Sequence, residues 1–223
     1  MKMIAIGDIH GCCRSLEGLL EKLEDYPGHK LIFVGDYIDR GPCSREVVEM
    51  LIELEKTRDC VFLRGNHEQM LLDAIDENQH EQHQMWIMNG GDSTLKSYGL
   101  TPADLSFPED HLKFYRKTKF YYSTDDYFFV HAGAPPDQTL EESVNDKRFR
   151  HDFLWSRDHL NAFETPWEKK VIFGHTPRPD PIHRPNMIGI DTGCVFASRG
   201  YGKLTAIVLP EETFIQQESL EKR

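Results

Sequence analysis

The chain lacks any apolar run long enough to cross a bilayer or form a signal-peptide core. The first such run, Met1 to Gly7, meets Asp8 at once. No membrane partner is therefore expected. An excess of basic residues is also missing: 26 Lys and Arg face 37 Asp and Glu, a formal net charge of −11. A chain this acidic has no electrostatic footprint for a phosphate backbone, which argues against nucleic acid. An anionic substrate would need a local positive centre, which bound metal ions would supply. No CxxC pair occurs among the five cysteines Cys12, Cys13, Cys43, Cys60 and Cys194. An odd number without paired spacing reads as reduced thiols in a cytoplasmic protein. Repeats, low-complexity tracts and long linkers are absent as well. The 223 residues read as one domain, 1–223.

What the chain does contain is an orderly alternation. Lys2–Gly7, Leu31–Gly35 and Val61–Gly65 read as buried strands. Leu16, Leu19, Leu20 and Leu23, then Val47, Met50, Leu51 and Leu54, recur at helical spacing between them. This βαβαβ opening implies parallel strands covered by helices. Glu68–Asp76 and the polar stretch to about Lys117 read as mostly helical, with Pro108 as a first-turn proline. The second half reads as strands at Phe120–Ser123, Tyr127–His131, Lys170–Gly174, Met187–Asp191, Lys203–Leu209 and Thr213–Gln217. Two sheets packed face to face, with helices outside, are the expected α/β (α+β) architecture.

The ends of the strands carry the chemistry. Asp8 and His10 follow the first, Asp36 the second, and Asn66-His67 the third; later strands deliver His131 and His175. In α/β sheets the carboxyl edge is where ligands collect. Helix capping explains a single Asp in such a place, but it explains neither the histidines nor the shared position. Carboxylate, imidazole and amide together suit a first-row divalent metal such as manganese, iron or zinc better than magnesium or calcium. Six ligands are too many for one tetrahedral ion and fit two ions sharing a carboxylate.

Gly7-Asp8-Ile9-His10-Gly11, Gly35-Asp36-Tyr37-Ile38-Asp39-Arg40-Gly41 and Gly65-Asn66-His67-Glu68 are similar to the three signatures of the phosphoprotein phosphatase (PPP) family. Val130-His131-Ala132-Gly133 and Phe173-Gly174-His175-Thr176 resemble its later histidine motifs. Trp86 to Gly91, Leu154-Trp155-Ser156-Arg157 and Ile190-Asp191-Thr192-Gly193 are similar to the compact bacterial and phage branch typified by phage lambda phosphatase. The resemblance implies a calcineurin-like αββα sandwich of two mixed sheets. It implies that Asp8, His10 and Asp36 bind one metal, and that Asp36 bridges to a second held by Asn66, His131 and His175. His67 would be the general acid, Asp39 its orienting partner, and Arg40 and Arg157 the phosphate ligands. Manganese is the preferred ion; iron, zinc, cobalt and nickel also suit the donors.

The implied reaction is phosphomonoester hydrolysis by a hydroxide that bridges the two ions and attacks phosphorus directly. A serine or threonine alkoxide leaves poorly and needs a proton, which His67 would give. A serine/threonine protein phosphatase acting on a phosphoprotein or phosphopeptide is the first expectation. Small phosphate esters and dinucleoside polyphosphates are alternative substrates, the latter through a diadenosine tetraphosphate hydrolase of the same fold. Asp39 and Glu68 are the positions at which that branch typically differs from this sequence. A phospho-binding adaptor without turnover would be expected to lack a ligand or His67. Asp191 is a candidate partner for a ligand histidine, and Tyr37, Met85, Trp86 and Met88 are candidate cleft residues.

Overall fold

The computed structural model describes residues 2–77, 80–196, 198 and 200–221. Along the first half run β1 (Met3–Ile6), α1 (Cys13–Lys22), β2 (Lys30–Phe33), α2 (Ser44–Glu55), β3 (Cys60–Phe62), α3 (Asn66–Asp76), α4 (His80–Trp86), α5 (Asp92–Tyr98) and α6 (Glu109–Lys117). The second half runs β4 (Tyr121–Ser123), β5 (Tyr127–Val130), α7 (Leu140–Asn145), α8 (Arg150–Trp155), β6 (Lys170–Phe173), β7 (Ile182–Arg184), β8 (Met187–Gly189), β9 (Lys203–Leu209) and β10 (Thr213–Glu218). One sheet has the order β10-β9-β1-β2-β3 and the other β4-β5-β6-β8-β7. Both are mixed: β1, β2 and β3 are parallel with β9 antiparallel to β1 and to β10, and β5, β6 and β8 are parallel with antiparallel β4 and β7 at the edges.

Side-chain alternation along each strand assigns the layers. Met3, Ala5, Ile32 and Val34 meet Phe129, Ile172 and Ile188 in the core between the sheets. Ile4, Ile6, Leu31 and Phe33 point the other way and pack beneath α1, α2 and the helices that follow. Phe128, Val130, Val171 and Phe173 lie under Phe153 of α8 and Trp167. The order helix, sheet, sheet, helix accounts for the near-continuous apolar runs: a strand buried on both faces has no polar side to show.

The expected strands are present, most of them ending one to three residues early, so that the residues just past them lie in loops; Lys203–Leu209 has its expected bounds and the last strand runs one residue further, to Glu218. β7 has no counterpart among them; it is a three-residue edge strand with two exposed positions, too short to carry a periodic signal. Pro108 takes the cap position with φ −53° and ψ 140°, one residue before α6, so it introduces the helix instead of opening its first turn. All five cysteines are free thiols.

Candidate active site

Loops leaving β1, β2, β3, β5 and β6 converge at one edge of the two sheets. Their backbone is unusual. His10, Asp36, Asp39, Arg40 and His175 all have positive φ, between 47° and 70°. Non-glycine residues rarely adopt this conformation, and its concentration at a single place is characteristic of a working site. The glycines there are needed for close approach: a Cβ on Gly41 would lie 1.9 Å from the His10 carbonyl oxygen, and one on Gly65 would lie 2.0 Å from Asp36 Oδ1.

Two groups of donors share Asp36. His10, Asp36 and His67 form one, and Asp36, His131 and His175 the other, with the facing atoms in each within 4.8 Å. His10 Nδ1 donates to the Ile38 carbonyl at 2.9 Å, and His131 Nδ1 donates to the Val34 carbonyl at 3.0 Å. Those bonds set the tautomers and leave each Nε2 with a lone pair facing the site. His131 Nε2 stands 2.9 Å from Asn66 Oδ1, 3.2 Å from His175 Nδ1 and 3.4 Å from Asp36 Oδ1. Acceptors crowded in this way fit a cation. Asp8 Oδ1, His67 Nε2 and His175 Nε2 are buried with no hydrogen-bond partner among the described residues, a further sign that the donor set suits metal.

The electrostatics agree. Burial opposes ionisation of Asp36, but His131, His67, His10 and His175 outweigh it and hold its carboxyl well below the usual range. Burial, with His131 nearby, pushes His175 down to about 2. Burial also lowers His10 and His131, which favours the neutral imidazole that ligation needs. Asp8 goes the other way: burial, then the carboxylates of Asp191 and Asp36, raise it. Three acids packed this closely favour a divalent cation as counter-charge.

His67 is different. Its Nδ1 lies 2.7 Å from Asp39 Oδ2, and its Nε2 opens towards Asp36 at 4.0 Å. Burial opposes its protonation, but Asp36 and the hydrogen bond to Asp39 outweigh it and raise its pKa. Asp39 is itself held from three sides. Trp86 Nε1 donates to its oxygens at 3.0 and 3.1 Å, the Thr94 hydroxyl donates to Oδ1 at 2.6 Å, and the Asp39 amide donates to Ser44 Oγ at 3.1 Å. A buried carboxylate so anchored fixes the imidazole and keeps the proton on Nδ1, leaving Nε2 to work.

Not every expected site residue sits where the sequence suggests. Asp8 stands beside the two donor groups, because its Oδ2 accepts the His175 amide at 2.9 Å; His67 takes its place in the first group. Asp191 is buried near Asp8 and pushed up to about 7 by burial, but its oxygen accepts the Gly193 amide at 2.9 Å and touches no histidine among the described residues. Tyr37 is no cleft residue: it is fully buried and donates to the Leu63 carbonyl at 2.6 Å. Trp86 faces inward to Asp39, whereas Met85 and Met88 are exposed. Arg40 is exposed, with Nη1 2.7 Å from His10 Nε2. Arg157 is exposed too, and its charge helps depress His131 and His175. Arg64 turns away to bond Thr118, Gln69 and the Tyr115 carbonyl, so it braces the edge of the site.

The positioning roles of two residues are not legible in the sequence. Glu68 is fully buried and accepts the amides of Asp36, Gly65 and Tyr37 at 2.8 to 2.9 Å, tying the second motif loop to the third. Thr94 is the other, and nothing at its position signals a link to a residue 55 places earlier.

The model of the calcineurin-like phosphoesterases matches residues 1–200. The chain belongs to that family. Full-length relatives include the asymmetrical bis(5'-nucleosyl)-tetraphosphatase PrpE of Oceanobacillus iheyensis, 30% identical over 98% of this chain and 93% of that protein. The protein of the same name from Geobacillus sp. (strain WCH70) is 31% identical over 99% and 96%. Among solved structures, a protein serine/threonine phosphatase from Saccharomyces cerevisiae shares the fold with a TM-score of 0.66, at 18% identity over 100% of this chain and 81% of that one. Family membership supports the αββα sandwich of two mixed sheets and a metal-dependent phosphoesterase. The resemblance to the phage branch of protein phosphatases holds at the level of the superfamily: the full-length relatives carry the dinucleotide name. No helix among the described residues is long and apolar enough to cross a membrane.

Proposed function

We propose that the protein is a divalent-metal hydrolase of dinucleoside tetraphosphates that cleaves them asymmetrically. The observation that carries the phosphoesterase chemistry is Asp36, shared between two donor groups, one of which includes the unpartnered Nε2 of His67. The substrate follows the relatives, which match over almost the whole chain. The motifs alone favour a protein phosphatase; the names of the relatives support the dinucleotide instead.

His10, Asp36, Asn66, His131 and His175 would hold two ions, with Asp8 completing the first position, and manganese is the ion proposed. Such ions, when bound, lower the pKa of water and neutralise phosphoryl oxygens. The protein's own groups do the rest. Arg40 and Arg157 hold phosphate oxygens with forked donors. His67 gives its Nε2 proton to the departing oxygen, and Asp39 stabilises the imidazolium before transfer. No covalent intermediate with the enzyme is required.

One observation favours a second reading, phosphomonoester hydrolysis on a phosphopeptide. A phosphate leaving group from a dinucleotide departs readily without a proton, whereas a serine or threonine alkoxide needs one. The raised pKa of His67 therefore suits the poorer leaving group. Dinucleoside tetraphosphate and a phosphoserine peptide, assayed side by side with saturating Mn²⁺, separate the two. The dinucleotide is expected to have the higher kcat/KM, and a hundredfold preference for the peptide would overturn that choice. EDTA should abolish both activities, and Mn²⁺ should restore them better than Zn²⁺ or Mg²⁺.

A further inference from the structure

Each end of the site has an aromatic ring near an arginine, in contact with it at one end and two residues from it in sequence at the other. Beside the His10 group, the Arg40 guanidinium lies 5.6 Å from the centre of the Phe196 ring while its Nη1 reaches His10. Beside the other group, the Trp155 ring meets His175 edge-on, with centroids 6.1 Å apart, and Arg157 follows two residues later. Phe196 is 39% exposed in a chain whose other phenylalanines, Phe163 apart, are at least partly covered. Trp155 is half-buried: it packs partly on the core under the helices and stacks on the exposed His151 at 6.3 Å and 21°. Metal chemistry needs neither ring. Proton donation by His67 does not use them either.

We infer that Phe196 and Trp155 are nucleobase platforms, one at each end of a polyphosphate track running from Arg40 to Arg157. The inference rests on the dinucleotide reading and deepens it. In a nucleotide the base is joined to its phosphate through one ribose, so a ring near a phosphate-binding guanidinium can reach a purine face. Stacking on an aromatic ring tolerates any base and is typically worth a five- to hundredfold effect on binding. Two platforms suit a substrate with a base at both ends.

The experiment uses the Mn²⁺-loaded enzyme and two variants, Phe196→Leu and Trp155→Leu, each checked by thermal melting for a native transition. Each should lower kcat/KM for diadenosine tetraphosphate by about five- to hundredfold relative to p-nitrophenyl phosphate, which has no purine. Adenosine tetraphosphate, with one base, should lose to one variant and not to the other. Equal falls on all three substrates would make the rings structural and overturn the inference. A binding assay separates this from the substrate reading. Adenosine monophosphate should quench tryptophan fluorescence in the wild type, with loss of the quench in Trp155→Phe, and should bind at least tenfold tighter than ribose 5-phosphate. Equal affinities overturn the platforms whatever the enzyme hydrolyses. Tight adenosine monophosphate binding by an enzyme that prefers phosphopeptide a hundredfold supports the platforms and overturns the substrate.

Discussion

His67 and His175 are two imidazoles at one sheet edge, both buried and both within reach of Asp36, yet their protonation is driven in opposite directions. His67 has a carboxylate, Asp39, 2.7 Å from Nδ1, and its pKa rises. His175 has His131 and Asn66 in the corresponding place, and burial carries it down to about 2. One is equipped to give a proton and the other to give a lone pair. The same residue type would thus serve both halves of the proposed hydrolase, with Asp36 and Asp39 raising one imidazole while burial and His131 lower the other. His159 is a natural control: fully buried against Phe173 at 4.6 Å, with neither nitrogen partnered among the described residues, it is pushed to about 4 by burial, with the charge of Arg184 adding to it.

The largest effect is expected at the lone-pair histidine. His175→Ala should reduce turnover of every substrate by on the order of 10⁴-fold and lower the metal content measured by mass spectrometry. Full metal occupancy in that variant would break the comparison. At the proton-giving histidine, His67→Asn should leave metal content intact and slow a phosphoserine peptide by about 10²–10⁴-fold, with a much smaller loss on dinucleotides. Equal slowing of both substrates would remove the acid role.

Asp39→Asn tests the cause of the difference. The carboxylate raises the pKa of His67, so its removal lowers that pKa. The alkaline limb of the pH–rate profile for the peptide should then move to lower pH, with about a tenfold or greater loss at pH 8. An unmoved limb would mean that Asp36 alone sets the proton.

The smallest effect belongs to His159 and bears on stability. Its folded pKa lies below the unfolded value, so the unfolded chain binds more protons between about pH 6.5 and 4, and stability falls as pH drops through that window. His159→Leu should flatten this acid loss in urea melts while leaving turnover near that of the parent. A slope unchanged by the substitution would show that His159 is not the group titrating.

Much of this was legible in the chain. The proposed ligands stand one to four residues past apolar runs, and local spacing alone brings them to sheet ends. His111 and His159 show the limit of local reading: both lie in polar-looking stretches, yet both are buried. Trp86 fits a helical packing pattern equally well, and only the fold reveals its indole on Asp39. Glu68 appears in a recognisable motif, but its role, three amides gathered from two loops, depends on Asp36 and Tyr37 arriving from 31 or more positions away.

Sequence by itself determined the layers and the candidate donors, because strand burial and ligand chemistry are properties of residue type and near spacing. Tertiary structure alone decided which histidine keeps a proton, where Asp8 and Asp191 point, and which rings flank the arginines. Those outcomes depend on groups distant in the chain meeting in a medium of low polarity, where a few ångströms separate a charged imidazole from a neutral one.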